Sequence, residues 1–141
     1  MSGKFFLDTN IFVYAFDPTA PKKAERAGQL ILRAIQTRGG IVSYQVVQEF
    51  FNVALRRFAQ PMTSMDAEQY LTTTFRPLLA VHSSHALYGE ALRIQARFKL
   101  PWYDSLIVAS ALEGECDTLY SEDLQHEQRF SNLRVCNPFL K

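Results

Sequence analysis

Asp8 stands between two runs of bulky apolar residues in FFLDTNIFVY. Asp123 closes a similar stretch, LYSED, in which an apolar strand-like segment is followed by a hydroxyl and then by acid. Asp104 opens YDSLIVASAL, and Glu49 lies on VVQEFFNVALRRF, in one helical stripe with Gln45, Asn52 and Arg56 and flanked by Val46 and Val53. Four carboxylates brought together repel one another and raise at least one pKa unless a cation fills the gap. Oxygen donors without histidine or thiolate favour a hard ion, Mg²⁺ or Mn²⁺, over zinc. Such an ion polarises a phosphoryl oxygen and generates hydroxide for in-line attack, so phosphodiester hydrolysis is the chemistry this set would best serve.

Each acid also has an ordinary reading. Asp8, Thr9 or Asn10 could cap a helix that follows the strand. Asp104 suits a first helical turn, where the helix dipole favours negative charge. Glu49 could be a solvated side chain, and Glu122, beside Asp123, is assigned to solvent. What favours the cluster is position, because open parallel sheets deliver the groups at their strand ends to one crevice.

The elements needed for that arrangement can be read along the chain. Phe5, Phe6 and Leu7 form a short buried strand. Residues 20–38 form a helix with Ala27, Leu30, Ile31, Ala34 and Ile35 on one side, with Pro21 in its first turn and Gly39 and Gly40 stopping it. Residues 41–43 are a second strand and 44–58 a second long helix. Pro61 breaks the pattern, a further helix opens at 64–68 and ends near Pro77, and 78–81 are a third strand. Residues 84–98 fit a helix with Ala86, Leu87, Ala91, Leu92 and Ile94 inside. After Pro101 a last helix runs from about 103 to 113, then a strand at 117–120 and an edge strand at 133–136. Strands alternating with long helices imply an α/β fold with a parallel sheet covered on both faces. With 141 residues and neither repeat nor linker, a single domain spanning 1–141 is expected.

Composition narrows the function classes. Apolar residues are 48% and charged residues 21% of the chain, values of an ordinary globular protein. A net charge of +1 argues against holding duplex DNA by a large uniform basic surface. A local basic groove is still open to Lys22, Lys23, Arg26, Arg33, Arg56, Arg57, Arg93, Arg97 and Lys99, most of which read as a solvated outer face. No apolar run approaches the roughly 18 residues of a membrane helix, and the first residues lack the apolar core of a signal peptide, so a cytoplasmic location is expected. Cys116 and Cys136 are too few for a disulfide framework and read as buried thiols.

The order FFLDTNIFVYAFD, SYQVVQEFFNV, LPWYDSLIVASALEGECDTLYSEDLQH and RVCNPF resembles the PIN-domain ribonucleases, particularly the VapC-like toxins of bacterial toxin-antitoxin pairs. The resemblance covers nearly the whole chain. It implies a three-layer α/β/α sandwich around a mainly parallel sheet, dependence on Mg²⁺ or Mn²⁺, and endonucleolytic cutting of single-stranded RNA regions. Asp8, Glu49, Asp104 and Asp123 match the family's acidic quartet, with Asp8 and Asp104 the foremost metal ligands. Asn10 and Ser121 match the polar residues that orient it. A VapC-like toxin further implies a small antitoxin, whose C-terminal segment crosses the groove near the acids, and a homodimer. Phe12, Tyr14 and Phe16 are read mostly as core, with a dimer surface as the other reading.

One position departs from the pattern: relatives carrying SEDLQH usually continue with glycine, where this chain has Glu127. A backbone requiring positive φ would explain the glycine. His126, His82 and His85 are assigned structural roles. A haloacid-dehalogenase phosphatase would need a second aspartate two positions after Asp8, and Asn10 breaks that signature. The remaining alternative is an inactive PIN domain that binds RNA or a protein partner without cutting.

Overall fold

The computed structural model describes residues 3–140. Its strands are β1 (Phe5–Leu7), β2 (Gly40–Ser43), β3 (Leu79–Val81), β4 (Thr118–Tyr120), β5 (Arg129–Phe130) and β6 (Leu133–Cys136). The helices are α1 (Thr9–Tyr14), α2 (Pro21–Thr37), α3 (Tyr44–Ala54), α4 (Ser64–Tyr70), α5 (Arg76–Leu78), α6 (His85–Phe98) and α7 (Trp102–Glu113), with a π-helical turn, Leu71–Phe75, joining α4 to α5. The sheet order is β3-β2-β1-β4-β6-β5, parallel throughout except for the antiparallel β5. All three residues of β1 and all four of β2 are buried. Successive strand residues point to opposite faces, so helices cover the sheet on both sides. This is the expected α/β architecture.

The strand order has a consequence for the site. The chain moves outward from β1 to β2 and β3, then crosses back to lay β4 on the other side of β1. The sheet therefore switches direction between β1 and β4, and a crevice opens beyond the carboxyl ends of those two strands. A backbone bond from Asp8 N–H to the Tyr120 carbonyl, 3.1 Å, closes the floor of that crevice.

Several local readings are corrected. The first long helix ends on Arg38, which adopts the left-handed conformation (φ 58°) in place of a glycine. Gly40 is required for a different reason: a Cβ there would lie 2.2 Å from the Ala34 Cβ, so glycine lets α2 pack directly on β2. The second long helix stops at Ala54, four residues short of Phe58, because the chain turns back and the Met62 N–H bonds the Ala54 carbonyl at 2.9 Å. That turn brings Phe58 against Phe16 and Phe50. The π turn precedes Pro77, whose ring and missing N–H oppose a regular α turn.

On α6, Leu87, Ala91 and Ile94 are buried as expected, but Ala86 and Leu92 face outward. A further correction concerns the sheet edge. Leu133–Cys136 is not an edge strand, since the unanticipated β5 pairs outside it. Two residues are too short a run to carry a periodic signal.

The core on one side is an aromatic cluster. Phe12 and Phe75 lie 4.9 Å apart, Phe50 stacks on Tyr70 at 5.1 Å, and Phe51 and Phe58 pack around them. Phe12 is fully buried, Tyr14 half-buried, and Phe16 is 42% exposed although its ring touches Phe58 and Tyr70. Three of the α2 cations are engaged within the fold: Lys23 with Glu122, Arg26 with the Pro138 carbonyl, and Arg33 over the Phe5 ring. Cys116 is buried, which pushes its thiol up to about 12. Among the described residues no helix is long and apolar enough to cross a membrane.

Candidate active site

A cavity of about 320 Å³ opens at the switch point, lined by residues that include Asp8, Glu49, Asp104 and Asp123. The fold thus delivers all four acids singled out in the sequence to one place. Asn10 also lines it, while Ser121 lies behind Asp8, fully buried. The remaining wall is part apolar, with Val13, Val53 and Ile107, and among the described residues contains no lysine or arginine.

Asp8 occupies the junction between β1 and α1. Its Oδ1 accepts the Thr9 N–H at 2.7 Å as the cap of α1, and its Oδ2 accepts the Ser121 hydroxyl at 2.7 Å. The Ser121 Oγ accepts the Asp123 N–H in turn, at 3.1 Å, so one hydroxyl connects two of the acids. Asp123 Oδ2 accepts from Asn10 Nδ2 at 2.9 Å. Asn10 and Ser121 thus each bond at least one of the acids.

Glu49 projects from α3. Its Oε1 accepts the Thr9 hydroxyl at 2.7 Å and its Oε2 faces Gln45 Nε2 at 3.4 Å. Asp104, in the first turn of α7, makes no side-chain hydrogen bond among the described residues. It is half-buried at the cavity wall.

Burial is the main electrostatic influence. It pushes Asp8 up to about 7, against the lowering effect of its bonds from Ser121 and Thr9, and the charges of Asp123 and Glu49 add to the rise. Asp104 is raised by burial and then by Asp123 and Glu49, and Asp123 by burial and then by Glu122 and Glu49. Three acids thus share a destabilised negative charge that a cation would relieve. The donor set, carboxylate and amide oxygens without histidine or thiolate, fits a hard divalent ion. Among the described residues, however, no three such side chains are gathered closely enough to form a metal cluster. Neutral donors hold Asp8, Glu49 and Asp123 in place around the cavity.

Two side chains that bond Glu49 escaped the sequence reading in that role. Thr9 reaches across from α1 to Glu49, and Gln45 bonds both Glu49 and the Tyr103 carbonyl. The available signal was adjacency to Asp8 for the first and i,i+4 spacing from Glu49 for the second. Glu122, assigned to solvent, is instead latched to Lys23 at 2.7 Å and to the Tyr14 hydroxyl at 2.6 Å. His126 is structural as expected, its Nδ1 accepting the Asn137 N–H at 3.0 Å.

The sequence profile of the PIN domain matches residues 5–129. The chain belongs to the PIN-domain family. Among solved structures, it is similar to a toxin-antitoxin complex from Klebsiella pneumoniae, with a TM-score of 0.70 and 17% identity over 96% of this chain and 98% of that one. It is also similar to VapC20 of Mycobacterium tuberculosis, a toxin described as cleaving the sarcin-ricin loop, with a TM-score of 0.63 and 17% identity over 85% and 90% of the two chains. VapBC2 of Rickettsia felis, bound to a DNA fragment from its promoter, gives a TM-score of 0.62 and 18% identity over 93% and 96%. At such identities these likenesses establish a shared PIN fold. No curated protein matches the chain in sequence.

Proposed function

We propose that this PIN domain, a single unit over its 141 residues, is a Mg²⁺- or Mn²⁺-dependent endoribonuclease that hydrolyses phosphodiester bonds in single-stranded RNA regions. The observation that carries the reading is the convergence of Asp8, Glu49, Asp104 and Asp123 on one cavity at the sheet's switch point. Asp8, Asp104 and Asp123 would hold the ion, and Glu49 would position it or the attacking water. When bound, the ion would supply electrophilic stabilisation of the phosphoryl oxygen and a hydroxide near neutral pH.

The chain's own residues do the rest. Ser121 and the Thr9 N–H hold Asp8 in one orientation, and Asn10 does the same for Asp123. Thr9 and Gln45 fix Glu49. Val13, Val53 and Ile107 lower the polarity of the wall and so strengthen every charge interaction within it. At the rim the Tyr103 ring is 64% exposed, a surface on which an unstacked base could lie, which supports single-stranded over duplex substrate.

The structural neighbours, several of them toxin-antitoxin complexes, support reading the chain as the toxin of such a pair with a cognate antitoxin as partner. A cytoplasmic location and assembly as a homodimer belong to the same proposal and rest on the family resemblance alone. A second reading, a PIN domain that binds RNA or protein without cutting, draws support from the spacing of the acids, which do not form a tight cluster among the described residues. Cleavage of a mixed RNA pool by antitoxin-free protein, with and without Mn²⁺ and beside Asp104→Asn purified identically, separates the two. The nuclease reading expects Mn²⁺-dependent cutting that the variant lacks. Equal cutting by both proteins, or none, sinks it.

A further inference from the structure

Gln45 is only 3% exposed, yet it lines the acidic cavity from the first turn of α3. Its Nε2 lies 3.2 Å from the Tyr103 carbonyl and 3.4 Å from Glu49 Oε2. Its Oε1 is buried and has no donor among the described residues. Turning the amide over does not help, because a carbonyl oxygen would then face two groups that only accept. The orientation is therefore fixed by its two acceptors, and one buried acceptor is left unmet.

An unmet buried acceptor is destabilising, and an apolar side chain of the same length would avoid it. A polar residue at this position needs another reason. The Gln45–Tyr103 bond is the hydrogen bond that joins α3 to α7 among the described residues, and Tyr103 immediately precedes Asp104. One amide thus touches the Glu49 carboxylate and the backbone that carries Asp104.

We propose that Gln45 is a positioning residue whose amide couples α3 to the first turn of α7 and so sets the separation of the Glu49 and Asp104 carboxylates across the cavity. The inference rests on the nuclease reading above. Gln45 touches neither substrate nor ion in this role; it acts through the two acids.

The test compares wild type with two variants that lack the amide but fill the space differently, Gln45→Met, which keeps the length, and Gln45→Leu, which does not. Melting of the metal-free proteins, Mn²⁺ affinity by calorimetry and RNA cleavage kinetics are measured on each. The expected result is a metal-free Tm for Gln45→Met at or above that of wild type. Its Mn²⁺ affinity and kcat should each fall about 10-fold, the scale of losing an outer-shell partner, with KM within about two-fold. Gln45→Leu should lose as much kcat, separating the amide from the packing.

Wild-type affinity and kcat in Gln45→Met would overturn the proposal while leaving the nuclease reading intact. A large fall in the metal-free Tm of both variants would overturn it in favour of a purely structural role. If wild type neither binds Mn²⁺ nor cuts RNA, the nuclease reading falls and takes this inference with it.

Discussion

The cavity has two halves that are built differently. On the strand side, Asp8 and Asp123 are held by Thr9, Ser121 and Asn10, and both oxygens of Asp8 already accept a hydrogen bond. On the helix side, Asp104 carries no such bond among the described residues, and Glu49 is held by two side chains that themselves line the cavity. Asp8 sits where a strand becomes a helix at the centre of the sheet, so the fold uses its carboxylate as a cap and as a bridge to the loop after β4. Asp104 sits in the first turn of a helix, and its carboxylate makes no bond to that backbone. The same residue type is therefore tied into the architecture in one half and left free of it in the other, where the proposed nuclease would use it for chemistry alone.

The sharpest way to expose that split is Asp104→Asn. Cleavage is expected to drop by roughly 10²–10³-fold, the scale of removing one electrostatic stabiliser, with the metal-free Tm unchanged or slightly higher. Cleavage assays and thermal melts on the same preparation check both halves of the statement. Unfolding of this variant would show that the helix side is as structural as the strand side.

Asp8→Asn should lose cleavage as Asp104→Asn does and, unlike it, also change stability and its pH dependence. The folded carboxyl is raised to about 7 from an ordinary 3.8, so the native state holds more protons between those values. Stability of the metal-free wild type therefore falls as pH climbs from about 4 to about 7, and Asp104 and Asp123 contribute in the same direction. Removing the buried charge should stabilise the metal-free protein by about 2–4 kcal/mol at pH 8 and by almost nothing at pH 4. Urea unfolding in EDTA across that range reads it. A wild-type slope of the opposite sign would mean that Asp8 is ionised at little cost.

Ser121→Ala tests the bridge itself. It leaves the Asp8 Oδ2 and the Asp123 N–H without their shared partner, and a loss of about 1–2 kcal/mol is expected by denaturant titration. Thr9→Val removes one bond to Glu49 while keeping the Thr9 N–H that the Asp8 carboxylate caps. Its expected signature is a few-fold loss of kcat with a change in stability below about 1 kcal/mol, an outcome belonging to the helix side.

The smallest effect lies outside the cavity. Glu127 does adopt positive φ, 71°, the conformation that the family resemblance implied for a glycine there, and its carboxylate bonds Arg134 at 2.6 Å. Glu127→Gly would relieve the left-handed strain but lose that exposed pair and add freedom to the unfolded chain. A net change within about 1 kcal/mol is expected, without loss of cleavage. A large loss of activity would place this loop in the substrate path.

Much of this molecule is legible without coordinates, and the legible part is local. The alternation of apolar strands with amphipathic helices, the acid after β1, the acid after β4 and the acid opening α7 all follow from neighbouring residue types, because backbone periodicity and capping are settled within a few positions. Glu49 was legible too, through the apolar residues beside it.

The tertiary structure decided what depends on residues far apart in the chain. Asp8 and Ser121 are bonded although 113 positions separate them, and Tyr14 and Glu122 although 108 do. No periodicity announces such pairs, so Glu122 looked solvated and Thr9 looked like a cap. The same limit hid β5, whose two residues become a strand only because β6 offers an edge to pair with. Ala86 and Leu92 are apolar residues that the helix could have buried; the packing of α6 against α7 left them outside. Sequence named the acids because chemistry resides in side-chain type. Which oxygens the fold would occupy, and which it would leave for a ligand, was set by hydrogen bonds that exist only once the sheet has closed its switch point.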